Sequence, residues 1–185
     1  MSKKMEETIV RMAAPTLAGI KTGSLFPYYY ESRELLGKEM GRLNRLLIPR
    51  GLRLVLLRLT ARSALLYLFR PSKLEKDLRD DDACELLRRA GYPCPNCGAC
   101  LRHLLKRFRY AEEFPHEIGL FLSYPPEDVR GFLDDRDNCK AVCLWKVYGD
   151  EEKARRLCAR YRKCTECYCR MWQTGRRLEQ LAVAS

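Results

Sequence analysis

From Leu52 to Phe69 the chain reads LRLVLLRLTARSALLYLF, and the class of fold turns on how that stretch is taken. Leu52-Arg53-Leu54-Val55-Leu56-Leu57 and Ala64-Leu65-Leu66-Tyr67-Leu68-Phe69 are short apolar runs on either side of a turn near Ala61-Arg62. Runs this short and this close predict antiparallel strands joined as a hairpin. Both faces of each run are largely apolar, which predicts central places in a sheet. Pro71 closes the second strand.

Toward the N-terminus, Ser32 has the character of a helix cap, followed by a stripe of Leu35, Leu36, Met40, Leu43, Leu46 and Leu47 that ends at Pro49-Arg50-Gly51. Ala13-Ala14-Pro15-Thr16-Leu17-Ala18-Gly19 reads as a turn leading into a short helix, with Pro15 in its first turn. Toward the C-terminus, Ser72 caps a helix and another covers Leu74–Ala90, with room for a break at Asp80-Asp81-Asp82. Asn96 caps a helix carrying Leu101, Leu104, Leu105 and Phe108. Ile118–Leu122 is expected as a third strand closed by Pro125-Pro126, followed by a short helix through Val129, Phe132 and Leu133. Val142–Tyr148 is expected as a fourth strand, ended by Gly149-Asp150. A long C-terminal helix from about residue 151 places Ala154, Leu157, Cys158, Tyr161, Tyr168 and Trp172 on one face. There is no βαβ rhythm, repeat or Gly/Ser linker. The expectation is therefore an α+β fold in one domain over residues 1–185, a roughly four-stranded, mainly antiparallel sheet packed with about six helices.

Composition bounds the function. No stretch resembles a signal peptide or is apolar enough to span a bilayer, so a soluble, cytoplasmic protein without membrane contact is expected. Ten cysteines are then expected to be mostly reduced thiols, serving as core residues, metal ligands or reactive thiolates. The net charge of +11 is uneven: Arg33–Tyr110 holds 18 Lys or Arg against 8 Asp or Glu, and Ala111–Asp150 holds 4 against 9. Such asymmetry marks either a polyanion surface or solvated helix faces, and the second reading is the stronger. The chain has no phosphate-binding glycine loop, dinucleotide fingerprint or Gly-x-Ser-x-Gly elbow.

Cys94-Pro95-Asn96-Cys97-Gly98 has the form of a metal knuckle, with two thiolates spaced to grip one zinc or iron ion. Cys164-Thr165-Glu166-Cys167 offers a second pair at the same spacing, with Cys100 or His103 as alternates. Two observations weigh against the site. The pairs are far apart in sequence, and Cys97 and Cys100 fall on the apolar stripe of Leu101 and Leu104, as core cysteines do. On an unbroken helix Cys167 and Cys169 point about 200° apart and cannot share an ion. Cys97, near a helix N-terminus, is expected to be the most acidic thiol. In Phe114–Leu122, His116 beside Glu117 has the form of a base with its orienting carboxylate, and Tyr124 lies just downstream. The competing reading has His116 simply holding a loop.

Three stretches carry a resemblance: Ala14-Pro15-Thr16-Leu17-Ala18-Gly19-Ile20-Lys21, the block Phe114–Leu122 (FPHEIGLFL), and Leu144–Asp150 (LWKVYGD). On these the chain resembles, over nearly its whole length, a family found mainly in anaerobic bacteria and known as a domain of unknown function, DUF3793. The resemblance implies a shared fold and transfers no activity. It also implies a papain-like order, because relatives often carry a Cys before the Pro of the first stretch and a His far downstream. This chain has Ala14 there, which cannot be a nucleophile. The Cys94–Cys100 cluster is not part of the family's pattern.

Three readings of function follow. The first is a thiol-rich metal-binding or redox accessory protein of anaerobic metabolism, with zinc or iron as cofactor and no partner specified. The second is a Cys/His hydrolase or transferase scaffold lacking its nucleophile, which requires residue 14 close to His116. The third is an RNA- or anion-binding module using Arg42, Arg45, Arg53, Arg58, Arg88, Arg89, Arg102, Arg107 and Arg109, although no nucleic-acid motif accompanies them.

Overall fold

The hairpin read from Leu52–Phe69 is present, but only one of its strands is central. The computed structural model, which describes residues 3–184, begins with helix α1 (Lys4–Leu17), strand β1 (Gly23–Tyr29), helix α2 (Arg33–Leu47) and a 3-10 turn at Ile48–Arg50. Strands β2 (Arg53–Leu59) and β3 (Ser63–Phe69) follow. The order is β1-β3-β2, antiparallel throughout. β3 pairs on both sides. β2 is an edge, bulged between Leu56 and Arg58. Asn44 of α2 covers part of that edge, donating through Nδ2 to Leu54 O at 2.8 Å and accepting at Oδ1 from Leu54 N at 2.9 Å. A side-chain amide thus stands where a neighbouring strand would.

β1 has no counterpart in the sequence reading, and Pro27 within Gly23–Tyr29 is a residue that argues against a strand. Proline is tolerated at a sheet edge, where its missing N–H costs no ladder bond, and β1 is an edge. The turn expected at Ala13–Gly19 falls within α1 as a break at Ala13, after which residues 14–17 form a short helical turn with Pro15 near its start. Met5, Ile9, Val10, Ala13 and Leu17 form the buried stripe of α1, with Pro15 in its last turn and a break in helical geometry at Ala13 (φ −134°, ψ 18°). α2 is as expected, with Ser32 Oγ accepting from Leu35 N at 3.1 Å and Gly51 (φ 72°) closing the end in the left-handed region.

From Pro71 the chain is mostly helical: α3 (Pro71–Asp77), α4 (Asp81–Arg89), α5 (Cys97–Tyr110), α6 (Ile118–Phe121) and α7 (Pro126–Asp134). The two-residue strands β4 (Ala141–Val142) and β5 (Lys146–Val147), then α8 (Glu151–Gln173) and α9 (Leu178–Leu181), complete the described residues. Asp80 caps α4 through Ala83 N at 3.1 Å, making the break between α3 and α4, and Asn96 caps α5 through Ala99 N at 2.9 Å.

Two expected strands are corrected. Ile118–Leu122 is a short helix, with Leu122 N donating to Ile118 O at 3.1 Å. All its side chains are buried, so no periodicity distinguishes helix from strand in the sequence. Val142–Tyr148 folds back on itself in a minimal hairpin pairing Ala141 with Val147 and Val142 with Lys146. The sheet thus has three strands, with a separate two-stranded ribbon, and the described residues hold nine α-helical segments, not six. The fold class is α+β.

The chain divides into two compact units, one of residues up to Ser72 and from Tyr161 onward, the other Lys73–Arg160. The first has its core between α1, α2 and the sheet, joined by Tyr168, Leu178 and Leu181. Among the described residues no helix is long and apolar enough to cross a membrane.

Candidate functional site

In the second unit the acidic segment Pro125–Asp128 and the segment Trp145–Gly149 are tied together by one carboxylate. Asp128 Oδ2 accepts from Trp145 Nε1 at 2.7 Å, and Oδ1 accepts from Tyr148 N and Gly149 N, each at 2.7 Å. Asp128 is 3% exposed, so three charge-assisted bonds in a dry setting fix the β4–β5 ribbon against α7. Tyr124 stacks on the Trp145 ring (centroids 4.8 Å apart), and burial raises its phenol's pKa. Gly119 allows this closeness: a Cβ there would stand 2.8 Å from Val129 Cγ2 and 3.1 Å from Tyr124 Cδ2.

Next to it, Glu117 is committed elsewhere than to His116. Its Oε1 accepts from Tyr92 Oη at 2.7 Å and lies 3.1 Å from Arg107 Nε as an ion pair. Burial, then the adjacent Glu117, drives the Tyr92 phenol's pKa up. His116 packs its ring on Phe114 and Phe132, with centroids 5.3 and 4.9 Å away. Burial, followed by Arg136, lowers its pKa, so it is neutral at pH 7. His103 packs on Tyr92, centroids 4.4 Å apart. His116, Glu117 and Tyr124 therefore share one unit, but the carboxylate that would orient a base is spent on Tyr92 and Arg107.

In the first unit, Ala14 is fully buried in the final turns of α1. Residue 14 follows the break at Ala13 and opens the short helical turn 14–17, and as an alanine it supplies no nucleophile. The residues around it serve Arg70, which is 0% exposed. Arg70 Nε donates to Thr16 O at 2.8 Å, and Nη2 donates to Leu17 O at 2.7 Å and Val183 O at 2.8 Å. Burial lowers its pKa.

Lys21, in the loop after α1, holds its Nζ 5.7 Å from the Tyr161 ring centroid. Burial lowers its pKa from the ordinary 10.5 to about 8. Between those values the unfolded chain keeps the Lys21 proton and the folded chain releases it, so stability rises with pH. Below pH 8 both states are charged and the cost of the buried cation is constant. Unfolding free energies from urea titrations at pH 7 and pH 10 should rise more for the wild type than for Lys21→Met, by up to about 3 kcal/mol. Parallel curves for the two proteins would remove Lys21 as the cause.

The thiols are partly as expected. Eight cysteines are free, but Cys143 and Cys158 form a disulfide. The tight turn in which Cys143 N donates to Trp145 O at 3.0 Å precedes the first turns of α8, and the two Cα atoms stand 6.4 Å apart, within disulfide span. Cys94 Sγ lies 3.1 Å from Cys84 Sγ and 3.8 Å from Cys100 Sγ. Cys84 Sγ also lies 3.0 Å from Leu78 O. The sequence reading missed Cys84. It reaches Cys94 only because the chain turns at Gly91 (φ 81°), where Tyr92 N donates to Leu87 O at 2.9 Å.

Burial, then the Cys84 contact, raises the pKa of Cys94, and burial raises that of Cys100. Cys97 goes the same way: burial, then Cys100 and Glu75, outweigh Arg79 and the helix N-terminus, so the expected acidic thiol is corrected. Cys94, Cys97, Cys100 and His103 belong to the second unit, Cys164 and Cys167 to the first. α8 is unbroken through Gln173, so Cys167 and Cys169 diverge as expected. Among the described residues no group of three or more His, Cys, Asp or Glu is placed so that it could hold a metal ion. The nine arginines of the polyanion reading also divide between the units, and Arg42, Arg89 and Arg107 pair with Glu6, Glu85 and Glu117.

A family model described as a protein of unknown function, DUF3793, matches residues 9–182. No curated protein and no solved structure matches the chain.

Proposed function

The chain belongs to the DUF3793 family, whose description carries no activity, and we propose from its own geometry that it is a cytoplasmic thiol-redox accessory protein. Its working pair is Cys84 and Cys94. The observation that carries this reading is the 3.1 Å separation of their sulfurs, about 1 Å beyond a disulfide bond. Cys94 is half-buried and Cys84 is 4% exposed, which makes Cys94 the thiol that meets an outside reactant.

The reactant is a low-molecular-weight disulfide. Cys94 first gives its proton to solvent, a step its burial slows, and its thiolate then attacks one sulfur of that disulfide, forming a mixed disulfide and expelling one thiolate. The Cys84 thiolate then attacks the Cys94 sulfur, closing Cys84–Cys94 and expelling the second. Two protein thiols are oxidised and one external disulfide is reduced to two thiols.

The test is equilibration in glutathione buffers of graded redox poise, followed by alkylation and peptide mapping. Cys84 and Cys94 should disappear together from the alkylated pool and reappear as one cross-linked peptide pair. Full alkylation of both in the most oxidising buffer ends this reading.

A further inference from the structure

Around Cys94 the second unit gathers more sulfur than a dithiol needs. Cys84 comes from α4, Cys94 from the loop after it, and Cys97 and Cys100 from the first turn of α5. Cys97 and Cys100 are three residues apart on that helix and so share a face. Cys94 and Cys100 are 3.8 Å apart. A tetrahedral ion with metal–sulfur bonds of about 2.3 Å has sulfur–sulfur edges of about 3.8 Å. A cuboidal iron–sulfur cluster sets its cysteines around a core of several atoms, a larger span than this spacing describes. The four sulfurs do not surround one point in this arrangement, so the shell closes only when metal draws Cys84 and Cys97 toward Cys94 and Cys100.

We infer that Cys84, Cys94, Cys97 and Cys100 form a mononuclear four-thiolate site for a soft divalent ion, zinc before iron. Four sulfurs in tetrahedral array select zinc or a single iron and reject magnesium and calcium, which take oxygen. The Cys164 and Cys167 pair has no part in it. This site replaces the ligand set expected from spacing alone, keeping Cys94 and Cys97 and substituting Cys84 and Cys100 for the distant pair. It shares two sulfurs with the dithiol reading and stands apart from it. A protein that forms the Cys84–Cys94 disulfide but takes up no metal refutes the metal site alone.

The experiment uses the full chain, reduced and kept anaerobic, loaded with zinc and desalted, then loaded separately with cobalt(II). Elemental analysis should give one zinc per chain, and cobalt should give the visible and sulfur charge-transfer bands of a tetrahedral four-thiolate ion. The cobalt spectrum counts thiolates in the unaltered protein, so the result does not depend on variants that fail to fold. Loss of an outer-shell partner costs a metal site about 10–100-fold in affinity, so Cys84→Ser and Cys97→Ser should each weaken zinc binding by at least about tenfold. The paired change Cys164→Ser with Cys167→Ser should leave stoichiometry and spectrum unaltered. No retained metal, a spectrum with fewer than four thiolates, or loss of binding in the Cys164/Cys167 variant overturns the inference.

Discussion

Replacing Arg70 with methionine is expected to remove about 2–4 kcal/mol of stability, a large share of the roughly 5–15 kcal/mol that holds a domain folded. The methionine fills a similar volume and brings no charge, so burial is nearly conserved. What goes is the hydrogen bonding. Thr16 O and Leu17 O lie at the end of α1 and also accept from Gly19 N and Val183 N, at 3.1 and 3.0 Å, and Val183 O belongs to the segment after α9. Each loses a charged donor, a bond of about 1.5–3 kcal/mol, while the two helix-end carbonyls keep their backbone partners.

The opposing term is the desolvation of the guanidinium, part of which the variant recovers. Three lost charge-assisted bonds and the lost link between three chain segments outweigh that recovery. Arg70→Lys should rescue little, since one ammonium cannot reproduce the fork that Nε and Nη2 make. Urea unfolding followed by far-UV circular dichroism decides it. A loss below about 1 kcal/mol for the methionine variant would mean that the recovered desolvation wins.

Arg70 also shows why parts of this chain are legible in sequence and others are not. The caps at Ser32, Asp80 and Asn96 are local events: a side chain satisfies an amide three residues on, and the sequence displays both partners together. The β2–β3 hairpin is local in the same way. Arg70 contacts residues 54 and 113 positions away, and as a sequence it is one more arginine among many. Burial on every side erased the helical period of Ile118–Phe121, and the proline within edge strand β1 argues against a strand in sequence.

The candidate site divides along the same line. Spacing alone brought Cys94, Cys97 and Cys100 forward, because a helix start makes three-residue intervals meaningful. Cys84 depends on the return of the chain at Gly91. His116 and Glu117 looked paired because they are adjacent, yet adjacent residues rarely face one another, and Glu117 turns instead to Tyr92 and Arg107.

The second large effect lies at Asp128. Asp128→Ala should cost about 3–4 kcal/mol, since it strands the buried Trp145 indole N–H and removes the acceptor of the part-buried amides of Tyr148 and Gly149. Asp128→Asn is the more informative change. Oδ1 receives two backbone amides, so the asparagine oxygen must take that side and its NH2 must face Trp145 Nε1. A donor then opposes a donor where the wild type holds a 2.7 Å bond, at a cost of about 2–3 kcal/mol.

Trp145→Phe removes the indole N–H and with it that conflict. The phenylalanine change should therefore cost less in the Asp128→Asn background than in the wild type, a coupling of about 1–3 kcal/mol in a double-mutant cycle. The chain has two tryptophans, so a Trp172→Phe background isolates Trp145 emission and reports whether the β4–β5 ribbon leaves α7 before the rest unfolds. An additive cycle would show that Asp128 acts only through the backbone amides. A coupled one makes Trp145 and Asp128 a single unit, in which the carboxylate decides where the indole sits and the indole decides that the Val142–Tyr148 run turns back instead of continuing as a strand.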